Sequence, residues 1–204
     1  MANFESRASS ERARRARSLS NSRALYVGAA EPLREVAAQS LIVMSCAHWE
    51  GFFNFCVDLY IDAVNAAEKN IAQINPALLA CEIDPHLMSL RDRNFRIDAR
   101  PDFARQVFAL SDHKKITSDH SILKAASNLD FKRLRNCLKA LDVDESRLLR
   151  YQNFIVHELV KWRHQVAHGD EPDLSTADLI AHSHRAEELL IIVLEIFSDR
   201  VARF

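Results

Sequence analysis

Glycine and proline are scarce in this chain. Three glycines (Gly28, Gly51, Gly169) and five prolines (Pro32, Pro76, Pro85, Pro101, Pro172) interrupt 204 residues. A sheet-rich fold needs turn residues at short intervals, so the sequence predicts an all-α protein. The four cysteines, Cys46, Cys56, Cys81 and Cys137, form no CxxC pair and no zinc-site spacing. They read as small core residues in a reducing compartment. Long apolar runs are missing too. The longest, Leu189 to Leu194, is far too short to span a bilayer. The N-terminal region lacks the apolar stretch of a signal peptide, so a cytoplasmic protein without membrane association is expected. An excess of either charge is also absent: 27 Lys and Arg stand against 28 Asp and Glu, a formal net charge of -1. Nucleic acid is therefore not attracted by the molecule as a whole.

What is present is a chain with 48% hydrophobic residues and enough length for one full core. Residues 1–204 are expected to form a single domain of about five to six helices, with residues 1–30 a basic helix or arm. Residues 1–34 carry seven arginines (Arg7, Arg12, Arg14, Arg15, Arg17, Arg23, Arg34), three glutamates and no lysine. That asymmetry makes Arg14, Arg15 and Arg17 candidate contacts for a phosphate backbone, and a solvated basic helix is the plainer alternative. Pro32 suits the first turn of a long helix reaching about Asn70. Leu123, Ala126, Leu134, Leu138 and Leu141 predict another helix over 121–141. Gly169 and Pro172 stop the penultimate helix, and the capping-box-like Ser175–Asp178 starts the last.

The stretch "KWRHQVAHGD", Lys161 to Asp170, breaks the usual separation of apolar and charged faces. At helical spacing Ile155, Leu159, Trp162 and Val166 form one apolar stripe, and Val156, Val160, Arg163 and Ala167 a second beside it. An arginine there needs an acid, a carbonyl array or an anion. Opposite runs a polar stripe of His157, Lys161, His164 and His168, suited to a phosphate or a groove. His164 and His168 also make an HxxxH pair, but no third ligand follows at helical spacing, so neither metal nor cofactor is expected. On the early long helix, Glu50 sits between Val57 on one side and Val43 and Ile61 on the other, and Arg163 is its obvious partner. Gly51 permits close helix approach. Trp49, Phe52, Phe53, Phe55 and Tyr60 read as core or subunit contact rather than as base-stacking platforms.

These residues resemble a known family. "RHQVAH", Arg163 to His168, is similar to the Arg-x4-to-6-His motif of the HEPN superfamily, with His164 where asparagine or aspartate is commoner. Together with "HWEG", His48 to Gly51, and the order of helices, the likeness points to the MAE-type and RiboL-PSP-like bacterial members over roughly residues 36–200. The resemblance implies a helical bundle that dimerises and acts as a metal-independent endoribonuclease, often the toxin of a toxin–antitoxin or phage-defence system. By that likeness His168 moves the proton, Arg163 clamps the scissile phosphate, His164 orients and Glu50 holds Arg163. His157 and Lys161 become candidate RNA contacts, and an antitoxin protein a candidate partner. A catalytically silent HEPN module and a purely structural dimerisation bundle are the competing readings. Positions five apart differ by about 140° on an ideal helix. Bringing Arg163 and His168 together therefore requires arginine's reach, a distorted last turn, or a composite site across a dimer.

Overall fold

The computed structural model describes residues 2–110, 112–116, 120–125, 129–174 and 177–204, and among them no strand occurs. The helices are α1 (Ala2–Gly28), α2 (Leu33–Ala66), α3 (Leu79–Asp92), α4 (Arg100–Leu110), α5 (Phe131–Ala140), a composite α6 over 146–167, and α7 (Leu179–Val201). Short helical segments at Ile71–Ile74, Pro76–Leu78 and Ser121–Leu123 lie between them. None of the described helices is long and apolar enough to cross a membrane.

Helices α1, α2 and α7 pack against one another, and α6 packs on α2. Helix α2 is the centre of this arrangement. Its Trp49, Phe52, Phe53 and Tyr60 are fully buried, as expected of core residues. Phe53 and Tyr60 each meet Phe197 of α7 edge-on at 6.0 Å, an arrangement that suits the ring quadrupoles. All four cysteines are free and buried.

Helix α1 is an integral wall of the bundle. Phe4, Ala8 and Leu19 are buried on one face, a spacing of 4 and 11 that keeps them on one stripe. Arginines at its two ends reach across: Arg7 pairs with Asp62 at 3.1 Å and Arg23 with Glu187 at 2.9 Å.

The helix expected over 121–141 is interrupted. Among the described residues of its first part only Ser121–Leu123 is helical, as a 3-10 turn, and α5 begins at Phe131; Ala126 lies outside the described residues. The reason is competition from side chains of α2 for backbone hydrogen bonds. Asn54 accepts from the Ala125 N–H at 2.7 Å and donates to the Ala125 carbonyl at 3.1 Å. Glu50 Oε1 accepts from the Leu129 N–H at 2.7 Å. Groups bonded this way cannot also serve an i→i+4 ladder. Asp130 then caps α5, accepting from the Arg133 N–H. The last helix also starts later than expected. Asp178, not the start of the Ser175–Asp178 box, is its N-cap, accepting from the Ala181 N–H at 2.9 Å; Ser175 and Thr176 lie outside the described residues.

Candidate active site

The site is built on α6, which changes its winding three times. A 3-10 segment, Ser146–Tyr151, passes into an α turn, then a π segment at Ile155–Val160, then α again at Lys161–Ala167. A π segment bonds i→i+5 and turns each residue less than an α-helix does. This corrects the two stripes drawn at uniform α spacing. Ile155, Leu159 and Val160 are buried, but Val156 and Ala167 are exposed, so the second apolar row does not form. Arg163 nevertheless remains turned toward α2.

Arg163 meets Glu50 at 3.1 Å between NH2 and Oε1, with side chains 19% and 18% exposed. Glu50 thus accepts from two sides, since the same oxygen holds the Leu129 N–H. Cys46 completes the setting. Burial and the Glu50 carboxylate push its thiol up to about 11, against the pull of Arg163. Burial disfavours the Arg163 charge, but Cys46 and Glu50 outweigh it and the guanidinium holds its proton more tightly than usual. The result is a cation fixed in position yet still reaching solvent.

His164 and His168 lie ring against ring, 4.3 Å between centroids, and both are exposed. His168 is the C-cap of α6. Gly169 follows with φ +80, the left-handed conformation that glycine adopts at no steric cost. The Gly169 N–H donates to the Val166 carbonyl and the Asp170 N–H to that of Gln165, a Schellman termination. The glycine therefore ends the helix immediately beyond His168 and leaves its imidazole in solvent. His157 and Lys161 are exposed as well. The structure pairs Arg163 with Glu50 and His168 with His164, two pairs on one helix end.

The "HWEG" segment joins three helices, each residue serving a different neighbour. His48 is buried beside the Ser18 hydroxyl of α1 at 2.9 Å, and burial, then Arg15 and Arg14, hold its pKa down. Trp49 fills the core, Glu50 turns to α6, and Gly51 lies under Arg15. A Cβ at Gly51 would stand 2.5 Å from Arg15 NH1. Arg15 is thus drawn inward: it bonds Glu11 at 2.8 Å and the His48 carbonyl at 3.3 Å, with its side chain 13% exposed. This corrects its place among the outward basic residues. Its position on the buried stripe of Phe4, Ala8 and Leu19 was the available signal. Arg14 is exposed but doubly bonded to Glu11, and Arg17 is exposed.

Two further features escaped sequence reasoning. Along α2, Glu50, Asn54 and Asp58 form a polar ridge four residues apart. Asp58 holds Lys124 at 2.6 Å and His120 at 3.1 Å, so the ridge secures the irregular segment beside Arg163. The other is His182 of α7, buried between Phe154 edge-on at 5.2 Å and Trp162 stacked at 5.0 Å. Its ring nitrogens have no hydrogen-bond partner among the described residues. Burial and then Arg185 push its pKa down to about 4, although Glu158 lies 3.8 Å away.

A family model described as HEPN_MAE_28990-like HEPN matches residues 4–204. No curated protein and no solved structure matches the chain. The match covers nearly the whole chain, including the Arg163–His168 motif at the end of α6 and "HWEG" on α2, and the chain belongs to the MAE-type HEPN family.

Proposed function

We propose that this protein is a metal-independent endoribonuclease and the toxin of a toxin–antitoxin or phage-defence system. The observation that carries the reading is the juxtaposition at the end of α6: a guanidinium fixed by Glu50 but reaching solvent, and an exposed imidazole stopped in place by Gly169. The chemistry such a pair serves uses the substrate's own nucleophile. His168 takes the proton of a ribose 2'-hydroxyl, the 2'-oxygen attacks the adjacent phosphorus, and the 5'-oxygen leaves with a returned proton. Products are a 2',3'-cyclic phosphate and a 5'-hydroxyl. Arg163 offsets the charge growing on the phosphate oxygens, and His164 orients His168 by ring contact. Lys161, His157, Arg14 and Arg17 extend the basic surface for the RNA strand. A homodimer about the 163–169 segment supplies two motifs to one cleft, and light scattering that finds only monomer contradicts this composite site. Incubation with total RNA in EDTA tests the activity: fragments are expected, and intact RNA overturns the reading.

One observation favours a second reading, a HEPN module that binds RNA without cutting. Arg163 is engaged with Glu50 and His168 lies against His164, contacts that a site which only binds RNA would also use. Retained RNA binding with no cleavage at any protein concentration is its signature.

A further inference from the structure

Outside this site, the α3–α4 hairpin carries a surface that packing does not explain. Phe95 and Ile97 at its turn are 47% and 82% exposed. Large apolar side chains presented together at one turn mark a contact surface. The turn backbone is also held in an uncommon shape. Asn94 and Phe95 both lie in the left-handed region, at φ 51 and 53. The Asn94 N–H bonds the Arg91 carbonyl and the Phe95 N–H that of Leu90, which is the ordinary closure of a helix end. That closure needs only Asn94 in this conformation. Phe95 is an added strain, and Arg100 Nε fixes it by donating to the Phe95 carbonyl at 3.1 Å.

Arginines surround this ring. Residues 91–105 hold five (Arg91, Arg93, Arg96, Arg100, Arg105) against Asp92, Asp98 and Asp102, so five minus three gives +2 on a chain whose net charge is -1. All five are exposed. Arg96 pairs with Asp98 and Arg105 with Asp102, whereas Arg91 and Arg93 have no acidic partner among the described residues. A shallow cavity of about 220 Å³ between α3 and α4 is lined by Arg93 and Arg105, with Asp102 and Phe103. A presented ring among guanidiniums is the combination that holds single-stranded nucleic acid, bases stacking on the ring and phosphates meeting the charges.

We infer that the α3–α4 hairpin is a second RNA-holding surface, which grips single-stranded RNA through Phe95 and the arginines of 91–100. The inference rests on RNA being the ligand of the α6 site, and its test is independent of cutting. The probe is a labelled single-stranded RNA of about fifteen nucleotides with every 2'-hydroxyl methylated, titrated by fluorescence anisotropy against the His168→Ala protein at several salt concentrations. Adding Phe95→Ala should weaken binding about tenfold, the loss of one stacked base, with the salt slope unchanged. Adding Arg91→Gln and Arg93→Gln should flatten the slope by about 1.4, the release of two phosphate contacts. Phe95→Gly relieves the left-handed strain, so it should melt no lower than Phe95→Ala and bind just as weakly. Affinity within twofold in all these variants, or no RNA binding by the unaltered hairpin, overturns the inference. Weakened binding by a protein whose His168-containing form never cuts leaves the hairpin standing and removes the nuclease reading alone.

Discussion

At the scale of single residues, Arg163 and His168 answer to different physical demands although they share one motif. Arg163 is tied into the packing through Glu50, whose carboxylate also holds the Leu129 N–H. Arg163→Ala leaves that carboxylate without its cation, and at 18–19% exposure the cost is about 1–3 kcal/mol. His168 is exposed and touches His164, so His168→Ala should move stability by no more than about 0.5 kcal/mol. Thermal melts of the two variants check this: a clear drop is expected for Arg163→Ala alone. His182 makes a second demand, on pH. Its folded pKa of about 4 lies below the ordinary 6.5, so the unfolded chain takes up a proton that the native ring refuses. The stability linked to this histidine is complete above pH 6.5 and is lost as pH falls toward 4. Between pH 7 and pH 5 that amounts to about 2 kcal/mol, with His48 adding in the same direction. Denaturant titrations at these two pH values should show His182→Leu losing less stability on acidification than the unaltered protein. An equal loss would mean that His182 does not carry the effect.

At the scale of elements, α1 and α6 show what could and could not be read in advance. The Glu50–Arg163 contact was legible because two charges set among apolar positions need each other, whatever the path of the chain between them. The inward turn of Arg15 was not, because the arginines of 1–34 attract attention as a number rather than by face. The π segment of α6 leaves no trace in hydrophobic spacing; Phe154 before it and Trp162 after it both meet His182 of α7. Nor does periodicity register side chains that capture backbone groups, as Asn54 does at Ala125. Only the four-residue spacing of Glu50, Asn54 and Asp58 hinted at it. The packing of α1 leads to a test at this scale. Removing residues 2–28 uncovers the face of α2 that Phe4, Ala8 and Leu19 cover and strands His48 without Ser18. The truncated chain should lose its cooperative thermal transition. A truncated protein that melts near the full-length value would show α1 to be a detachable arm.

At the scale of the whole molecule, the near-neutral balance of 27 basic and 28 acidic residues means that the RNA of the proposed function is met by local surfaces, the end of α6 first. In the proposed function an exposed imidazole and a fixed guanidinium cleave RNA with the ribose hydroxyl as nucleophile. The most direct measurement is end-group analysis of RNA incubated in EDTA with the unaltered protein and, in parallel, with His168→Ala at equal concentration. The account predicts fragments ending in 2',3'-cyclic phosphate from the first and a loss of cleavage of at least about a hundredfold in the second, the range expected for one proton-transferring group. Undiminished cleavage by His168→Ala, or fragments ending in 3'-hydroxyl, would contradict it.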